Sequence, residues 1–271
     1  MSVPVTVVKV GGGKDIDHQG VFVDMKRYLE LGLRFVVVHG AHDEMDELSR
    51  RLGKPPRTLI SESGHESRYT DRETLNIFLM VYCGKVNKTL VALCHRLGIN
   101  AVGLSGVDGA LFGGERKKAL RVVEGARRLV VRDDLSGKIH SVNVDLLGLL
   151  LDAGYVPLVC PPALSEEREP INVDGDRAAA SLAVALEAER LVILSNVPGL
   201  LRDKNDPTSL IETISSERLD EEARYAEGRM KKKTLAAAEA LRGGVKEVIL
   251  ADARVSRPIE QALQHRGTWI R

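Results

Sequence analysis

Aromatic residues make up only 4% of the chain, so base-stacking platforms for single-stranded nucleic acid are not expected. Neither sign of charge is in surplus. The 39 Lys and Arg against 38 Asp and Glu leave a formal +1 over 271 residues, which gives no global field for nucleic acid or a membrane surface. Cysteine is scarce as well. Cys83, Cys94 and Cys160 show no CxxC pair and no metal-type spacing, which fits reduced thiols in a cytosol. The opening MSVPVTVVKVGGGKD lacks the basic-then-apolar run of a secretory signal. No apolar run is read as reaching the ~18 residues of a membrane span. GxSxG, HExxH, GxGxxG and a Walker A loop are all missing, which removes the common hydrolase, zinc-protease, Rossmann and P-loop readings. What remains is a soluble, cytoplasmic globular protein, 44% hydrophobic, with enough chain for a large core.

What is present alternates. Short β-branched runs, VTVVKV (5–10), RFVVVHG (34–40), NAVGLSG (100–106), YVPLVC (155–160), RLVILSN (190–196) and KEVILAD (246–252), are separated by helix-patterned stretches. Near-continuous apolar strands alternating with helices predict a mainly parallel sheet covered on both faces, a three-layer αβα sandwich. Residues 53–70 read as a polar loop, and 71–97 as one long helix capped by Asp71. The stretch 119–142 reads as antiparallel hairpin strands. Two lobes, 1–165 and 166–271, are expected within one continuous fold.

In such a sheet, ligands bind where strands end and helices begin. VVKVGGGK (7–14) puts Lys9 two residues before three glycines, a pattern suited to phosphate but also to a plain tight turn. VVVHGAHDEMD (36–46) is a second strand-to-helix turn, whose His39 and His42 read more readily as packed groups than as metal ligands. Arg68 in ESRYTDRETL suits a carboxylate. INVDGDRAAASL places Asn172, Asp174 and Asp176 at a helix start, as caps, magnesium ligands or lysine partners. ILSNVPGLLRD (193–203) is a loop after a strand. In GRMKKKTLAAAEAL (228–241), helical geometry with Met230 buried sends Lys232 to solvent and leaves either Lys231 or Lys233 able to reach inward.

Taken together and in this order, these segments resemble the amino acid kinase family, in its N-acetylglutamate kinase branch. SRYTDRETL, MVYCGKVNK, GLSGVDGALF, INVDGD, LSNVPGLL and GRMKKK look closest to its carrier-dependent aminoadipate kinases. Ser67-Arg68-Tyr69-Thr70 replaces the G-L-R-V-T loop usual in N-acetylglutamate kinases, and His39-Gly40-Ala41-His42 departs from the usual HGGG. The resemblance implies transfer of phosphate from ATP, with Mg²⁺ but no dedicated metal cage, to the side-chain carboxylate of aminoadipate held on an acidic carrier protein, LysW. N-acetylglutamate, or both aminoadipate and glutamate on the carrier, are the alternative acceptors. Carried over residue by residue, the resemblance implies that Lys9 and Lys233 serve the phosphoryl group and that Asp176 holds both lysines. It implies that Gly40, Ala41, Arg68 and Asn172 bind the amino acid, while Gly11, Gly12, Ser195, Asn196, Leu201 and Met230 border the nucleotide. It further implies a homodimer formed through the N-terminal lobe, with helix 71–97 as one candidate surface. Basic clusters at 50–57, 115–121 and Arg127-Arg128 are the expected docking patches for the carrier.

Overall fold

The computed structural model describes residues 4–62, 64, 66–125 and 127–271. In chain order the first half runs β1 (Val5–Val10), α1 (His18–Glu30), β2 (Arg34–His39), α2 (His42–Arg51), β3 (Thr58–Ile60), β4 (Glu66–Arg68), α3 (Arg72–Leu79), a π-helical turn (Met80–Val86), α4 (Asn87–Arg96) and β5 (Ala101–Ser105). Next come β6 (Phe112–Arg116), β7 (Leu120–Glu124), β8 (Arg127–Val131), β9 (Gly137–Val142), α5 (Val144–Asp152), β10 (Val156–Cys160), β11 (Ala163–Ser165) and β12 (Pro170–Ile171). The rest comprises α6 (Gly175–Ala185), β13 (Arg190–Ser195), β14 (Thr213–Ile214), α7 (Leu219–Glu222), α8 (Arg229–Arg242), β15 (Glu247–Asp252), α9 (Pro258–Leu263) and β16 (Thr268–Ile270).

Eight strands form one sheet in the order β14-β16-β15-β13-β1-β2-β10-β5. All its pairings are parallel except β15 with β16. Successive side chains of a strand point to opposite faces. Val7 accordingly packs into the core shared with α6 and α8, while Val8 and Val10 pack into the core shared with α1. Apolar runs with no polar alternation are what two covered faces require. Lys9 stands on the face of Val7, toward α6 and α8.

Three details differ from the sequence expectation. Residues 53–70 are not loop throughout, because β3 and β4 pair antiparallel, Leu59 opposite Ser67. β9 pairs with β6 rather than with the β7–β8 hairpin, and β6, hidden in a glycine-rich stretch, was not anticipated. Helix 71–97 forms, but its middle is π-helical.

The helical run Arg72–Arg96 is also long enough and apolar enough, by composition alone, to cross a membrane, which corrects the expectation that no segment is. Its apolarity has another explanation. Leu75, Ile77, Phe78, Val81, Leu90 and Cys94 are buried in the cores, and Lys85 and Lys88 interrupt the run.

Candidate phosphoryl-transfer site

The alanines of α8 explain how its lysine reaches the sheet. Ala236, Ala237, Ala238 and Ala240 are buried, as are Ala178, Ala179, Ala180 and Ala183 of α6. Small side chains on both surfaces let the two helices approach closely. That approach sets Lys233 Nζ 3.0 Å from Asp176 Oδ2. From the sheet side, Lys9 Nζ lies 2.7 Å from Asp176 Oδ1. All three residues are buried, at 7%, 6% and 8% exposure for Lys9, Asp176 and Lys233. Burial alone would raise the Asp176 carboxyl; Lys233 and then Lys9 outweigh it and hold the group well below the usual carboxylate range. Burial pulls Lys233 below the ordinary lysine value, Asp176 opposes that shift, and Lys9 adds to it.

The neighbouring lysines part company. Lys231 is exposed. Lys232 is not free in solvent as helical phase suggested: its Nζ lies 3.5 Å from Asp174 Oδ2. Met230 is half-buried against the core.

The three polar residues of INVDGD take three different jobs. Asp174 caps α6, accepting from the N–H groups of Asp176 and Arg177 at 3.0 and 3.1 Å. Asp176 holds the lysines. Asn172 Nδ2 donates to Thr70 Oγ1 at 3.0 Å, joining this segment to the arginine loop.

The two glycine turns stack against each other. A Cβ on Gly12 would stand 2.2 Å from the Ala41 nitrogen, so only glycine fits there. The N–H groups of Gly11 and Gly40 are already used, donating to Leu194 O at 3.0 Å and Val10 O at 2.9 Å. Neither N–H is therefore free for a main-chain bond to the ligand beside which the resemblance places these two glycines. Gly12 N–H has no partner among the described residues. Ala41 takes φ −156°, so its methyl group incurs no left-handed strain. His39 is a packed group: Asn87 Nδ2 lies 3.0 Å from its Nε2, and its Nδ1 lies 3.3 Å from Gly40 O. Burial drives its pKa down to about 4 despite the Gly40 contact, so the ring is neutral at neutral pH.

Arg68 is paired with Asp46 of α2. Its Nη1 is buried and has no partner among the described residues, as a donor awaiting an anion would be. Ser195 ends β13 with its side chain buried, Asn196 is exposed, and Leu201 bridges to Leu210. Ser195 stands opposite Asp252 at the C-terminal ends of β13 and β15.

Sequence reasoning missed the supports. Asp134 is buried and accepts from the Thr70 and Ser136 N–H groups at 2.9 and 2.8 Å. Asn172 N–H donates to Leu135 O at 2.8 Å. The DDLSG run behind these contacts lay next to the hairpin strands and carried no motif. The Asp46 partner of Arg68 and the packing of Tyr82 were missed too. Tyr82 stacks on Phe78 with ring centroids 4.2 Å apart and packs against the cluster that contains Ala41.

The model of the amino acid kinase family matches residues 4–252. The chain is 51% identical over 264 residues to the LysW-aminoadipate kinase of Deinococcus radiodurans, covering 97% of this chain and 90% of that one. It is 39% identical over 267 residues to the acetylglutamate kinase of Methanopyrus kandleri, covering 98% and 99%. Among solved structures, N-acetylglutamate synthase from Neisseria gonorrhoeae, complexed with coenzyme A and N-acetyl-glutamate, superposes with a TM-score of 0.79 at 26% identity. That match covers 98% of this chain, which spans 59% of the synthase's length. The family match over residues 4–252 and the 51% identity over nearly the full chain show that the chain belongs to the amino acid kinase family.

Proposed function

We propose that the protein transfers the terminal phosphate of ATP to the side-chain carboxylate of 2-aminoadipate carried on LysW, giving an acyl phosphate and ADP. The observation that carries this reading is the pair of buried ammonium groups held 2.7 and 3.0 Å from one carboxylate. A carboxylate nucleophile is already ionised at pH 7 and needs no general base. The obstacle is its approach to a polyanion, so positioned positive charge is what the reaction requires. Lys9 neutralises the transferring phosphoryl group, Lys233 stabilises the leaving oxygen, and Asp176 fixes both. Arg68 Nη1 and Asn172 bind the α-carboxylate, and Gly12 N–H supplies a main-chain donor. Ser195, Asn196, Leu201 and Met230 border the nucleotide. Among the described residues no three His, Cys, Asp or Glu side chains are grouped for a metal. Mg²⁺ carried on the phosphates would supply charge neutralisation.

The identity to the Deinococcus enzyme favours the carrier-linked substrate over free N-acetylglutamate. The docking reading is narrower than the sequence suggested. Lys54 is engaged by Asp71 and Glu73, and Arg57 by Glu124, which leaves Arg50 and Arg51 of that cluster. Separately, Arg116, Lys117, Lys118 and Lys138, with Glu115 among them, line a concave surface of net positive charge suited to an acidic carrier. A homodimer built through the N-terminal half and a cytoplasmic location complete the proposal.

The deciding experiment traps acyl phosphate as hydroxamate with three acceptors: LysW-linked aminoadipate, LysW-linked glutamate and N-acetylglutamate. Activity confined to carrier-linked acceptors supports the proposal, and their ratio measures chain-length selectivity. Activity on N-acetylglutamate alone overturns it in favour of an acetylglutamate kinase.

A further inference from the structure

Arg229 opens α8 four residues before Lys233, so both side chains rise from the same helix face. Gly228 precedes it at φ 50°, a turn that glycine makes without strain. The Arg229 Nη1 donates to Nε2 of His42, the first residue of α2. Among the described residues Arg229 forms no ion pair with a carboxylate. His42 Nε2 also lies 3.1 Å from Asp43 Oδ1, and Asp43 Oδ2 accepts from the Lys14 N–H at 2.7 Å. The His42 ring sits against the glycine turn, its Cε1 being 3.7 Å from where a Cβ on Gly13 would stand. A guanidinium on an exposed helix start is thus held over the phosphate turn by an imidazole that burial, then Arg229 itself, keep neutral, with a pKa down at about 4.

A neutral imidazole is a poor final partner for an arginine. Charge-assisted bonds to phosphate are shorter and roughly twice as strong as neutral ones, and the guanidinium fork fits phosphate oxygens. The lysine pair is also underpowered. Asp176 cancels one of its two charges, leaving a single net positive charge to face a polyphosphate.

We infer that Arg229 is a third phosphate-binding cation, which exchanges its bond to the neutral His42 imidazole for bonds to the terminal phosphate oxygens of bound nucleotide. The inference rests on the phosphotransfer reading above and adds a residue to it.

Calorimetric titration with Mg·ADP and with a non-hydrolysable Mg·ATP analogue tests it without any acceptor. Arg229→Ala should weaken binding of the ATP analogue by roughly tenfold or more and lower kcat by about 10²-fold. Arg229→Lys should recover part of that loss, retaining charge but not the fork. Lys231→Ala, exposed on the same helix, should bind as the native chain does. His42→Ala removes only the imidazole acceptor and should not weaken binding. If His42→Ala loses as much affinity as Arg229→Ala, the pair is a structural strut and the inference fails. It also fails if Arg229→Ala binds and turns over within twofold of native. A native chain that binds no nucleotide overturns the phosphotransfer reading together with this one. Native binding that is indifferent to Arg229 overturns this one alone.

Discussion

Asp176 accepts both ammonium groups, Lys9 at 2.7 Å and Lys233 at 3.0 Å, so each lysine's position depends on the other's partner. Lys233→Ala is expected to lower kcat by at least ~10²-fold, a typical loss for one transition-state donor. An unchanged kcat at saturating substrate would remove Lys233 from that role. A second residue-scale prediction concerns His39, whose pKa falls from 6.5 to about 4 through burial. The unfolded chain then binds the extra proton between those values, so stability is full above pH 6.5 and falls as pH drops toward 4. The loss amounts to about 3 kcal/mol at most. Urea melts at pH 7 and pH 5 should show it, and His39→Asn should shrink the difference to the part that the other lowered histidines, His42 and His18, contribute. At this scale the sequence carried much of the site. Lys9, Asp176 and Lys233 lie within ordered motifs, and family order chose Lys233 where helical phase alone left Lys231 open. Asp46 and Asp134 act across long chain separations on groups that only the fold brings near, so no local pattern announced them.

The π-helical turn Met80–Val86 is the element least visible in the sequence. Over one turn, its spacing differs too little from an α-helix to be read from apolar periodicity. It delivers Asn87, which is buried and whose Nδ2 lies 3.0 Å from both His39 Nε2 and Leu158 O. Gly103 is needed opposite it, since a Cβ there would stand 2.1 Å from Asn87 Oδ1. Asn87→Ala leaves these buried partners unsatisfied and should cost about 1–3 kcal/mol by denaturant melting. A smaller loss would mean that water replaces the amide. The glycine turn behaves differently. Gly12→Ala drives a methyl group into the Ala41 backbone, so activity should fall more steeply than for a methyl added at Gly13, where the nearest atom is 3.7 Å away. Strands and helices were legible because burial on both faces writes itself as apolar runs. β6 was not, because two glycines in FGGER erase the strand pattern.

At the scale of the molecule, the sequence predicted a parallel sheet but not its strand order, which depends on long-range pairings such as β1 with β13. Nor did it separate paired surface cations from free ones. Reversing Arg50 and Arg51 to Glu should raise the KM for the carrier-linked acceptor and flatten its salt dependence while leaving nucleotide affinity unchanged. A variant whose kinetics match the native chain's at both low and high salt would move the docking surface elsewhere. Met80, 53% exposed on the long helix, tests the dimer. Light scattering should give twice 29.6 kDa for the native chain and a shift toward monomer for Met80→Asp. Finally, β1 and β13, far apart in sequence, are joined by a continuous parallel ladder, from Thr6 opposite Arg190 to Val10 opposite Leu194. A hinge there would have to break it. The amides of β1 and β13 should therefore be the slowest to exchange hydrogen, with or without nucleotide.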